Sequence, residues 1–164
     1  MIALVVAYSH GRVIGKSQDI PWHMPADLKH FKQLTIHKTV VMGRTTADSI
    51  LNRLGHGLSD RLNIVVTRDE SYAPDGMSVA HTLNEALSTD TNSEIMIIGG
   101  AQIYAQTIEQ ADRLYVTQID AEIEGDTLFP LINLDEWQET NRESHPKDEH
   151  NPYNYDFVIF DRIS

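Results

Sequence analysis

Apolar positions along the chain fall into short, β-branched runs separated by stretches with helical spacing. The runs are IALVVAY (residues 2–8), KTVVMG (38–43), LNIVVT (62–67), SVA (78–80), EIMIIGG (94–100) and DRLYVTQI (112–119). They show little alternation, which is the pattern of strands buried on both faces. Between them, PADLKHFKQLT (25–35), TTADSILNRL (45–54), TLNEALS (82–88) and AQIYAQTIEQA (101–111) predict helices. Strands alternating with helices predict an α/β domain built on a mostly parallel sheet covered on both faces. The chain ends differently. WQETNRES (137–144) and YDFVIFDRI (155–163) alternate apolar with polar residues and are joined by HPKDEHNPYN, so an antiparallel pair is expected there. With 164 residues and no repeat or linker, one domain is expected.

Composition narrows the chemistry. The chain has no cysteine, which removes disulfides, zinc-thiolate sites and a cysteine nucleophile together. Thirteen Lys and Arg against 24 Asp and Glu give a formal charge of −11, which opposes broad binding to nucleic acid or an anionic membrane. An anionic ligand must therefore be met by local positive groups. The opening MIALVVAYSHGR lacks a basic leader region, and no later apolar run approaches the roughly 20 residues of a membrane helix. A soluble protein of the cytoplasm is the expectation.

Several segments could carry chemistry. In EIMIIGGAQIYAQ a buried strand runs through Gly99 and Gly100 into a helix starting near Ala101. Two glycines permit close approach to the backbone, and a helix N-terminus offers N–H donors to a phosphate. TVVMGRTTADSI repeats the arrangement with Gly43, Arg44, Thr45 and Thr46, although the threonines could equally be helix caps. Arg68 follows the strand LNIVVT, at the end where α/β crevices form, and Arg61 precedes it. In PWHMPADLKHF, Asp27 borders the stripe of Phe31 and Leu34, where it is either a first-turn residue favoured by the helix dipole or a working carboxylate. The connection from Ser9 to Met24, with Gly11, Gly15 and Trp22, is long enough to be a lid. His145, Asp148, Glu149 and His150 lack a ligand pattern and read as a solvated loop, so no metal is expected. No G-x-S-x-G, HExxH or Walker A segment is present.

Together VIGKSQDIPWHMPADLKHFKQLT, VVMGRTTADSI, RLNIVVTRD, IMIIGGAQIY, LYVTQID and EGDTLFP resemble the bacterial monofunctional dihydrofolate reductases in order and spacing. The resemblance implies a central sheet of about eight strands, mostly parallel with an antiparallel C-terminal strand. It also implies hydride transfer from NADPH to 7,8-dihydrofolate, giving tetrahydrofolate, by a monomer that takes antifolate inhibitors as ligands. Asp27 then pairs with the pterin, with Thr117 as its hydroxyl partner and Trp22 beside a proton-carrying water. By the same resemblance Val5, Val6, Ala7, Leu28, Phe31, Ile50 and Leu58 wall the folate, Arg61 pairs its α-carboxylate and Lys32 lies beside its tail. NADPH runs over Ala7, Ile14, Gly15 and Ile20. Its diphosphate lies near Gly43, Thr45, Thr46 and the turn of Gly99, Gly100, Ala101, Gln102, Ile103 and Tyr104, with Ile98 and Tyr104 flanking the nicotinamide. Arg44, Thr67, Arg68 and His81 are the candidates for its 2′-phosphate.

Two departures stand out. LNRLGHGLSDR (51–61) is longer than the family's usual turn, which makes Asn52, Arg53 and Leu54 unsafe assignments and favours Leu58 by its spacing to Arg61. Pro152 stands where some relatives carry a serine that clasps the lid, which predicts a lid that cycles differently. The competing readings are the related reductase of riboflavin synthesis, which lacks PWHMPADL, and a non-catalytic nucleotide-binding module. The joint presence of Asp27, Trp22 and Thr117 argues against the second.

Overall fold

A computed structural model describes residues 1–15, 23–89 and 94–163. Its elements in chain order are β1 (Ile2–Tyr8), β2 (Val13–Gly15), α1 (Pro25–Thr35), β3 (Thr39–Gly43), α2 (Arg44–Leu54), β4 (Leu62–Val66), β5 (Ser78–Ala80), α3 (Leu83–Leu87), β6 (Ile95–Gly99), α4 (Ala101–Thr107), β7 (Arg113–Ile119), β8 (Thr127–Leu128), β9 (Trp137–His145) and β10 (Tyr155–Arg162). Eight strands form one sheet in the order β5-β4-β3-β6-β1-β7-β10-β9. The six from β5 to β7 are parallel. β10 runs antiparallel to β7, and β9 antiparallel to β10, as the alternating C-terminal pattern predicts.

Burial on both faces explains why the parallel strands do not alternate in sequence. Successive residues of β1 point to opposite sides of the sheet: Leu4 and Val6 join one core cluster, Ala3 and Val5 the other. The first cluster includes Ile103 and Tyr104 of α4 and Ala86 of α3; the second includes Ala47 and Ile50 of α2, with Phe31 and Leu34 of α1 packed against it. Helices thus cover both faces, as expected. β9 is a polar edge strand, buried at Trp137, over whose ring the Arg162 guanidinium lies at 4.4 Å. Polar and charged side chains along such an edge discourage pairing with another chain.

Two local features depart from the expected pattern. A second sheet, β2 with β8, pairs two segments too short to show periodicity. Gly125 permits this pairing, since a Cβ there would lie 2.3 Å from Val13 Cγ1 and 2.6 Å from the Gly15 carbonyl oxygen. The helix expected over 101–111 is α4 followed by a 3₁₀ turn, Ile108–Gln110.

Candidate active site

The C-terminal ends of β3, β4 and β6 open, together with β1 and β7, into one cleft of about 1320 Å³ bordered by α1, α2 and α4. This is where ligands bind in open α/β sheets. Every candidate site residue in the described part of the chain lines it. From β1 and β2 come Val5, Val6, Ala7, Ile14 and Gly15; from α1, Asp27, Leu28, Phe31 and Lys32. Ile50, Leu58 and Arg61 follow, with Thr117 on β7. The remaining group comprises Gly43 to Thr46, Thr67, Arg68, His81 and the stretch 98–104. Ile20 and Trp22, with the middle of the connection read as a lid, lie outside the described residues.

Asp27 lies in the first turn of α1, as expected, but does not cap the helix. Pro25 opens α1, and the N-cap residue is Met24, which has no side-chain capping bond. The Asp27 carboxylate instead accepts a 2.7 Å hydrogen bond from Thr117 Oγ1, across from helix to central sheet. Burial pushes its pKa up and the Thr117 bond offsets part of that shift. It is the only carboxylate among the described residues lining the cleft. Next to this region Tyr104 is buried, donating from its hydroxyl to the Val5 carbonyl oxygen at 2.6 Å; burial, and then the Asp27 charge, push its pKa up, so it stays a neutral donor.

The start of α1 is secured from the far hairpin. Asn151, 5% exposed in the β9–β10 loop, accepts from the Ala26 N–H at 3.0 Å through Oδ1 and donates through Nδ2 to both Asp148 oxygens, at 3.0 and 3.2 Å. Asp148 also accepts from the backbone N–H groups of His150 and Asn151, which lower its pKa. The loop read as merely solvated therefore caps the helix that carries Asp27. No group of His, Cys, Asp and Glu among the described residues is arranged to hold a metal.

A second staple sets Leu58 and Arg61. Asn63, 2% exposed, accepts from the Leu58 N–H at 3.0 Å and donates to the carbonyl oxygens of Leu58 and Arg61 at 2.9 and 3.0 Å. Arg61 is braced by the Ser59 carbonyl and Thr35 Oγ1 at 2.8 and 2.9 Å. Arg53 and Leu54, judged unsafe assignments from the sequence, also line the cleft. So does His30, which the sequence reading passed over although it lies three residues from Asp27 on α1. Its ring stacks on Phe157 at 3.8 Å, and burial lowers its pKa, favouring neutral imidazole.

At the other side of the cleft, neither helix start is closed by a side chain: the N-caps of α2 and α4 are Gly43 and Gly100, both without side-chain capping bonds. Thr45 and Thr46 are therefore not caps, and the N–H groups of α2 are available to an anion. Gly99 has φ +133°, which favours glycine, and a Cβ there would lie 3.2 Å from Thr46 Oγ1, a tight contact that would press on that side chain. These are the properties of a cradle for a diphosphate. Beyond it, His81 Nδ1 lies 3.0 Å from the Thr67 carbonyl oxygen, which assigns the proton to Nδ1 and leaves Nε2 outward. Arg44 is engaged by Asp69 at 2.6 Å and Asp48 at 3.6 Å.

Comparison with known proteins agrees with this geometry. The family model described as dihydrofolate reductase matches residues 1–162. Dihydrofolate reductase type 3 of Salmonella typhimurium is 47% identical over 163 residues, covering 99% of this chain and 98% of the relative. The dihydrofolate reductase of Bacillus subtilis is 40% identical over 163 residues, covering 99% and 95%. A solved structure of dihydrofolate reductase from Enterococcus faecalis, complexed with NADP(H) and RAB-propyl, superposes with a TM-score of 0.92 at 36% identity, covering 100% of this chain and 97% of that one. With the match spanning nearly the whole chain and the fold shared, the chain belongs to the dihydrofolate reductase family.

Proposed function

We propose that this chain catalyses the NADPH-dependent reduction of 7,8-dihydrofolate to 5,6,7,8-tetrahydrofolate. The observation that carries the reading is a single half-buried carboxylate, Asp27, bonded to Thr117 in a cleft whose described residues include no other acid. A pterin ring presents adjacent N–H donors at N3 and the 2-amino group, and one fixed carboxylate can accept from both. Leu28, with 47% of its surface exposed, and the half-buried Phe31 and Leu58 offer apolar walls that water leaves when a flat ring enters. Arg61 supplies a planar cation for the glutamate α-carboxylate of the substrate, with Lys32 beside it.

Gly43, Thr45, Thr46 and the 99–104 turn would hold the diphosphate of NADPH, Ile98 and Tyr104 would flank its nicotinamide, and Arg44, Thr67, Arg68 and His81 would face its 2′-phosphate. When bound, NADPH supplies the hydride that adds to C6. N5 must take up a proton, for which water would be the carrier and Trp22 the residue assigned to its route by the family resemblance, while the Asp27 charge biases the pterin toward the protonated form. The same reading has a monomer in the cytoplasm with no nucleic-acid partner, consistent with the charge of −11, and a lid whose closed-off state is weakened at Pro152.

The test is NADPH oxidation on adding dihydrofolate, with Asp27→Asn alongside. Turnover by the intact protein and its collapse in the variant at neutral pH are expected. No turnover, or undiminished turnover by the variant, would overturn the reading.

A further inference from the structure

Arg44 borders the cleft already committed to carboxylates. Its Nη1 donates to Asp69 Oδ2 at 2.6 Å, its Nε lies 3.6 Å from Asp48 Oδ2, and its guanidinium sits 4.5 Å over the Tyr72 ring. The carboxylates are themselves fixed. Asp69 Oδ1 accepts from the Ser71 N–H at 2.9 Å and from Ser71 Oγ at 2.6 Å, and Asp48 Oδ1 accepts from the Tyr72 hydroxyl at 2.8 Å. Arg68 lines the same cleft and has no hydrogen bond or ion pair among the described residues. Two positive charges, Arg44 and Arg68, are thus matched by two negative ones, Asp48 and Asp69. An arriving phosphate meets a locally neutral patch rather than a cationic one, in a protein whose formal charge is −11.

We propose that Asp69 sets cofactor selectivity by competing with the 2′-phosphate of NADPH for Arg44, so that NADPH binds less tightly, and NADH is rejected less strongly, than two unopposed arginines would dictate. The proposal rests on the reading that Arg44 and Arg68 face that phosphate. The phosphate can reach Nη1 of Arg44 only by displacing Asp69 or by sharing the guanidinium with it, and sharing places two anions side by side. NADH carries no phosphate at that position and meets no such competition. Asp69 therefore acts on the difference between the two cofactors.

The experiment measures dissociation constants of NADPH and NADH by quenching of tryptophan fluorescence for the intact protein, Asp69→Asn, Arg44→Gln and the double variant. Asp69→Asn is close to isosteric, and its Oδ1 can keep both Ser71 bonds. Expected are NADPH binding tightened about three- to tenfold in Asp69→Asn, NADH binding unchanged, and the gain abolished when Arg44 is also replaced. If Arg44→Gln weakens NADPH selectively while Asp69→Asn leaves it unchanged or weakens it, Asp69 is a neutral bystander or pre-organises Arg44, and the competition is overturned. If Arg44→Gln affects both cofactors equally or neither, Arg44 does not face the 2′-phosphate; that reading fails by itself and the proposal falls with it. A matching loss of NADPH and NADH affinity in Asp69→Asn would also overturn it.

Discussion

Across the strand order from β7 to β4, the cleft passes from one carboxylate held by one hydroxyl to an arginine held by two carboxylates and a tyrosine ring. Asp27 is crowded by protein and its charge is disfavoured by burial. Arg44 and Asp69 are solvated, and each stabilises the ionised form of the other, although the Ser71 bonds act on Asp69 more strongly. A charge crowded by protein and held by one hydroxyl is expensive and has few substitutes. Exposed charges in a network are cheap and can be exchanged. The first arrangement suits recognition of one ring in one orientation, the second a phosphate that must arrive and leave.

The contrast is broken most directly at Asp27. Asp27→Asn should lower kcat/KM for dihydrofolate at neutral pH by about 100-fold or more, measured in steady state. It should also raise thermal stability. Because the native pKa of Asp27 lies above its unfolded value, the native state binds this proton more tightly. Stability is therefore greatest below the unfolded pKa and is lost as pH rises through the native one. The gain in Tm for Asp27→Asn should thus be present at pH 7 and vanish below about pH 4.

Gly99→Ala comes next, expected to cost about 1–3 kcal/mol in denaturant unfolding from its positive φ, with NADPH binding weakened and dihydrofolate binding much less so. Thr117→Val removes the one hydroxyl on Asp27 and should lower kcat/KM about tenfold while moving the Asp27 titration further up. Asn151→Ala leaves the Ala26 N–H without its partner, at a cost of about 1 kcal/mol in unfolding. An increased KM for dihydrofolate with an unchanged NADPH dissociation constant would place its effect at α1 alone. The smallest effect is salt: going from 0.05 to 0.5 M should change NADPH binding by less than about threefold, because the patch facing the phosphate is locally neutral, and leave the Asp27 titration nearly unmoved.

Much of this was legible in the sequence, for a physical reason. The buried parallel strands needed continuous apolar runs, and the terminal hairpin stood apart because β9 is a polar edge strand, exposed along most of its length, beside the more buried β10. Asp27, Gly99 and the arginines could be found because they sit where strands or helices begin and end, whereas Thr117, inside β7, was reached only through the family resemblance. The β2–β8 pair could not, since two or three residues paired across a long separation carry no period. Asn151 and Asn63 were equally hidden: each acts through side-chain bonds to distant or looped backbone, and an asparagine in a polar stretch looks the same whether it is solvated or buried. His30 was readable in principle from its place one turn after Asp27 on the same helix.

The most direct measurement is a carbon-13 titration of the aspartate carboxyls in the intact protein, in Asp27→Asn and with dihydrofolate added. One carboxyl should titrate above the ordinary aspartate range, be missing from Asp27→Asn, and shift when dihydrofolate enters the cleft. If every aspartate titrates in the ordinary range, or the raised signal ignores dihydrofolate, Asp27 is not the buried pterin anchor.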